Sequence, residues 1–207
     1  MDWSDFFPII IGILAVIGLP LAFRSRKKGG PKKVEELCQH LQGIGVKASK
    51  QEEVAIQEKA GEKRSRREKP IGVIKLADKN IDSINVIGVA SQYGVHYFLD
   101  FVVRSPSLTG RENKKKTRMV RRRSSALWGK VIDIEWKGDD SLARKLNLDY
   151  RLKDRLLQAD LNVLKSSIWI VPEPKHEYTR VRTNYFLPAP DLFDAIDNIA
   201  KHIKSGY

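Results

Sequence analysis

Cysteine is nearly absent: Cys38 is the only one among 207 residues. A lone thiol cannot close an internal disulfide, which excludes a disulfide-stapled extracellular scaffold and fits a reducing compartment. Its position between Leu37 and Leu41 suits a small packed apolar side chain better than a lipidated or catalytic thiol. The chain also lacks a glycine-rich phosphate loop, a dinucleotide-binding turn and a Gly-x-Ser-x-Gly nucleophile elbow. His40, His96 and His202 have no His or Cys at metal-ligand spacing. No catalytic residue, cofactor or metal is expected on these grounds. The most basic internal segment, residues 104–123, contains no aromatic residue and so no stacking platform for nucleobases.

Charge is missing altogether from Phe6 to Phe23, an uninterrupted apolar run of 18 residues. As a helix it reaches roughly 27 Å at 1.5 Å per residue, against a hydrocarbon core of about 30 Å. No Lys or Arg precedes it, and no small-residue cleavage site follows it, which argues against a signal peptide. Arg24, Arg26, Lys27, Lys28, Lys32 and Lys33 come directly after it, without an acid. The positive-inside rule then predicts a single-pass membrane helix with the N-terminus outside and the remaining chain in the cytoplasm, at the plasma membrane.

The net charge of +13 is concentrated in two blocks. Residues 24–33 carry +6, and residues 104–123 carry +8 through Arg104, Arg111, Lys114, Lys115, Lys116, Arg118, Arg121, Arg122 and Arg123 against Glu112. The rest of the chain is one unit negative. Such segregation points to a near-neutral folded body with basic segments that touch an anionic surface. Anionic lipid head groups are the nearest such surface to a tethered chain, each nearby cation adding about 1 kcal/mol at most. An acidic protein surface is the other candidate partner. Nucleic acid is less favoured, since only sequence-independent phosphate contact would be available.

Residues 24–70 read as a basic juxtamembrane segment, a short amphipathic helix and a charged tether. Val34, Leu37, Cys38 and Leu41 recur at helical spacing, closed by Gly43 or Gly45. Residues 47–69 have few large apolar groups, and Pro70 marks the boundary of a folded domain over 71–207. Within it, strands are predicted over Ile71–Leu76, Ile81–Val89, His96–Val103, Thr117–Arg123 and Lys130–Trp136. In the last of these Ile132, Ile134 and Trp136 alternate with Val131, Asp133 and Glu135, giving one buried face and one mostly polar face. Helices follow, capped by an Asp of the 138–140 turn and by Asp149, then a hairpin over Ile168–Val171 and Tyr178–Tyr185, then a helix from Pro190. Its stripe is Leu192, Phe193, Ile196, Ile199, Ala200 and Ile203. The expected fold is α+β, a mostly antiparallel sheet with helices packed on one face.

Three groupings invite chemistry. Asp133 and Glu135, with Asp139 and Asp140, resemble paired carboxylates or a divalent-cation site, though a solvent face followed by a helix cap explains them as well. Glu173, His176 and Glu177 supply an imidazole and two carboxylates, fewer ligands than a metal needs. Arg180 and Arg182 share one strand face and could extend Arg121 and Arg123 into a phosphate-recognising surface. The function expected is anchoring plus recognition by a cytosolic interaction domain, with a membrane-tethered enzyme of unrecognised type and a nucleic-acid binder as alternatives.

Overall fold

The computed structural model describes residues 29–51, 68–105, 115–125, 130–159, 161, 164 and 167–206. The expected span over 6–23 and most of the charged tether, 52–67, lie outside the described residues. Among the described residues no helix is long and apolar enough to cross a membrane.

The chain forms α1 (Gly29–Gly43), β1 (Ala48–Gln51), β2 (Glu68–Leu76), β3 (Ser83–Ser91), β4 (Gly94–Arg104), β5 (Thr117–Arg123) and β6 (Val131–Lys137). After these come α2 (Asp140–Leu148), α3 (Tyr150–Gln158), β7 (Trp169–Glu173), β8 (Tyr178–Asn184) and α4 (Pro190–Lys204). All eight strands join one antiparallel sheet in the order β1-β2-β3-β4-β8-β7-β5-β6. The fold is α+β, as the element pattern predicts. The β7–β8 hairpin returns from the helices to fill the gap between β4 and β5, so the sheet's middle is completed last in sequence.

Period-two alternation sorts each strand. Ile84 and Val86 of β3, Leu99, Phe101 and Val103 of β4, and Val181 of β8 all point to one face, where they share a single core with the buried residues of the four helices. Every member of the predicted α4 stripe is buried there.

The sequence reading starts the folded domain at Ile71, whereas the structure starts it at Gly29. Helix α1 buries Val34, Leu37 and Leu41 against the sheet, and β1 pairs with β2, so residues 29–51 belong to the core. Burial of each such side chain contributes about 1.5–3 kcal/mol, which a short helix left in water would forgo. The docking depends on missing side chains: a Cβ on Gly72 would stand 2.8 Å from Val34, and one on Gly30 2.8 Å from Ile71. Pro70, expected as a boundary, lies inside β2. The register shifts between Pro70 and Gly72, and this bulge accommodates a residue with no N–H to donate.

The predicted buried face of β6 needs one correction. Ile134 and Trp136 are buried, but Ile132 is 60% exposed. The register slips between Arg122 and Arg123, leaving Ile132 as the extra residue of a bulge. Strand β6 ends the sheet, and side chains occupy its outer backbone groups. The Trp136 amide donates to Asn147 Oδ1 at 2.8 Å, Asn147 Nδ2 donates to the Trp136 carbonyl at 3.0 Å, and the Ile134 amide donates to the Asp133 carboxylate at 2.7 Å.

Asp139 caps α2 and Asp149 caps α3, each accepting from the amide three residues on. Burial tends to raise the Asp149 carboxyl, but His202, the Leu152 amide and Asn198 outweigh it and hold it below the usual carboxylate range. A depressed folded-state value contributes stability above the unfolded value and loses it as pH falls through the folded one. Urea midpoints should therefore drop as pH is lowered below about 4, with a shallower decline in Asp149→Asn. At neutral pH, Gly72→Ala should displace α1 and cost about 1–3 kcal/mol in urea unfolding; an unchanged midpoint would refute tight docking of α1.

Candidate functional site: a buried arginine–carboxylate cluster

On β4, Phe98, Asp100 and Val102 face away from the helices, and the register sets Asp100 opposite Arg182 and Val102 opposite Arg180 on β8. The Asp100 side chain is fully buried. Arg182 grips it twice, Nε donating to Oδ1 at 2.6 Å and Nη2 to Oδ2 at 2.9 Å, while Arg180 Nη1 donates to Oδ2 at 3.2 Å. Glu173 accepts from Arg180 Nη2. Glu68 accepts from Arg182 Nη1 at 2.9 Å and from Nη2 at 3.3 Å. Burial works against the charge of both guanidiniums. Asp100, together with Glu68 for Arg182 and Glu173 for Arg180, outweighs it and holds both above the ordinary arginine value.

The Glu68 contact also reports the shape of the sheet. Strands β2 and β8 are separated by β3 and β4, three spacings or about 14 Å if flat, and the pairing registers set Glu68 four residues up from Arg182, about 13 Å more. A contact at 2.9 Å requires the sheet to coil over this face, with the β2 bulge supplying the bend. Val73 and Ile87, buried outside the main core, lie on the same concave side.

This geometry corrects the phosphate-surface expectation for Arg180 and Arg182. Both are engaged by carboxylates, and three acids face two arginines, so the cluster carries no surplus positive charge to offer a phosphate. Arg121 is not their neighbour: it projects to the helix-bearing face, where Nη2 donates to the Leu164 carbonyl at 2.8 Å. Its burial and the nearby Arg123 push its guanidinium below the ordinary value.

Segment 104–123 is divided by the fold. Its end is strand β5, as the alternation around Met119 predicts, with Met119 buried. Lys115 and Lys116 are exposed ahead of the strand, Arg118 lies over the Trp169 ring at 5.8 Å, and Arg122 sits opposite Asp133. Arg123 is exposed at the far end, about 20 Å along the strand from Thr117. Arg24, Arg26, Lys27, Lys28 and Lys114 lie outside the described residues. Trp169 with Arg118 is a cation–aromatic pair of the sort that stacks bases, but the carboxylate-rich cluster beside it disfavours a polyphosphate.

The acidic candidates disperse as well. Asp133 pairs with Lys153 at 2.6 Å, Glu135 with Lys137 at 3.2 Å, and Asp139 is committed to capping α2. Glu173 belongs to Arg180, and His176 stacks on Tyr178 at 5.8 Å. His40 Nε2 lies 2.8 Å from the Pro188 carbonyl. Cys38 is buried, and burial pushes its thiol up, away from nucleophilic reactivity. Among the described residues no group of three His, Cys, Asp or Glu side chains converges to hold a metal. A broad groove of about 580 Å³ runs along Trp136, Lys137, Asp140, Arg144 and Asn147.

Sequence reasoning missed Asp100. The available signal was a single acid inside the apolar stretch Tyr97–Val103, on a strand that then had to supply it with a cationic partner.

Comparison of the chain with protein-family models, with curated proteins and with solved structures finds no match.

Removing Asp100 leaves two buried guanidiniums short of their shared counter-charge. Asp100→Asn should cost about 3–5 kcal/mol in urea unfolding, and Glu173→Gln, at the half-buried rim, clearly less; equal small losses would show that the cluster is not electrostatically coupled.

Proposed function

We propose that the chain is a single-pass membrane protein, N-terminus outside, whose α+β domain is an interaction module held close to the anionic cytoplasmic face of the membrane. The observation that carries this reading is a length. The uncharged run ends at Phe23 and α1 begins at Gly29, so residues 24–28 alone join a proposed span to the folded core. Five residues reach at most about 18 Å when extended. Four of them are Arg24, Arg26, Lys27 and Lys28. The domain is then confined to the head-group layer, and its cations act at high effective concentration rather than by free diffusion. The dispersal of Asp133, Glu135, Asp139, Glu173 and His176 into ion pairs, caps and stacks supports recognition over catalysis.

The test uses the full chain synthesised with vesicles, beside a chain lacking residues 1–23. The full chain should stay with the vesicles through alkaline carbonate. The shortened chain should bind anionic but not neutral vesicles, weaken as salt rises, and weaken further with Arg122 and Arg123 replaced by Ser. Release of the full chain by carbonate would overturn the anchor. Equal binding of the shortened chain to neutral and anionic vesicles would overturn the electrostatic contact.

A further inference from the structure

Helix α1 begins at one end of the sheet. A Cβ on Gly29 would meet the Tyr97 hydroxyl at 3.4 Å, and one on Gly30 would meet Ile71. The Lys33 ammonium stands 4.1 Å from the Tyr185 ring centroid and 5.3 Å from that of Tyr97. Tyr97 is three residues from Gly94, where the β3–β4 hairpin turns. The chain therefore joins the domain beside that hairpin, at the end opposite the β7–β8 connection, which the β4 pairing places next to Arg104.

The hairpin tip has an unusual composition for its position. Residues 88–97 contain no Lys, Arg, Asp or Glu, in a chain that is 30% charged. Tyr93 is 86% exposed and Val95 42%. The turn is held by its own polar groups, with Ser91 Oγ donating to the Gly94 carbonyl at 3.0 Å and accepting from the Tyr93 amide at 3.3 Å. Gly94 has φ +133°, a conformation that keeps the turn tight where other residues are strained. Exposed cations surround this end of the domain: Lys32 at the start of α1, Lys69 near the start of β2, and Arg122 and Arg123 at the end of β5, which the strand pairings direct the same way.

We propose that the β3–β4 hairpin tip, led by Tyr93 and Val95, is a second membrane contact that seats in the interfacial layer of the same bilayer that holds the chain. The assignment rests on the anchor reading above and goes beyond it by fixing which end of the domain faces the lipid. An amphipathic aromatic ring is at home at head-group depth, an uncharged tip sheds no ion hydration on arrival, and flanking Lys and Arg meet lipid phosphates. Two contacts, one of them five residues of chain away, also remove the domain's freedom to tumble.

The test uses the full chain with Cys38→Ala as background and one new cysteine, Tyr93→Cys or His176→Cys, the latter exposed in the β7–β8 connection about 33 Å away along β4. Each is labelled with an environment-sensitive fluorophore and reconstituted into vesicles of phosphatidylcholine and phosphatidylserine, with or without brominated acyl chains. The label at 93 should shift to shorter wavelength and lose roughly half its emission to bromine, as expected 5–10 Å into the interface, while the label at 176 does neither. If the chain floats with the vesicles but both labels report water, the hairpin contact is overturned and the anchor stands. If the chain does not float, both readings fall together.

Discussion

A carboxylate buried in the middle of a sheet sets the terms for the rest of this fold. Asp100 has no exposed surface, so its charge must be met by protein groups, and the β4–β8 register brings two guanidiniums to it. Those arginines then need further acids, which Glu173 and Glu68 supply from β7 and β2. Because Glu68 comes from three strands away, satisfying the cluster requires a coiled sheet. A coiled sheet has a concave side lined by this polar clasp and a convex side left to the helices. Segregation of apolar helices from the ion cluster is therefore one geometric decision, and Pro70 with its bulge is where the backbone yields to it.

Helix α1 closes the other half of the arrangement. Its stripe is narrow, but Gly30 and Gly72 let the backbones approach, and Val34, Leu37 and Leu41 become as buried as any residue of the core. The position of Gly29 then dictates where the chain meets the domain. In the proposed membrane setting, a detail of glycine packing determines which surface faces lipid.

Much of the architecture was legible in the sequence because it follows local periodicity. The alternation around Met119 and Ile134, the Asp139 and Asp149 caps, and the α4 stripe each depend on residues a few positions apart. What was not legible depends on partners far along the chain. The stripe of α1 gives no sign that its acceptor is β2, and β1 has only Ala48 to bury among four residues. Ile132 fits the alternation of its neighbours and is turned outward by a bulge that no pattern announces. Asp100, Arg180 and Arg182 are ordinary charges until a strand pairing across 80 residues brings them together. The basic segment read as one patch because charge was counted along the sequence, whereas a strand spreads it over the length of the sheet and turns alternate side chains to opposite faces.

The outer edge of β6 has a meaning that only crowding reveals. A bare antiparallel edge is a template on which a second chain can polymerise, and confinement to a surface raises the rate at which neighbouring copies collide. Asn147 occupies both polar groups of Trp136, Asp133 occupies the Ile134 amide, and the bulge at Ile132 spoils the remaining register. With three of its polar groups already taken by side chains, this border offers the sheet of an adjacent molecule less to pair with.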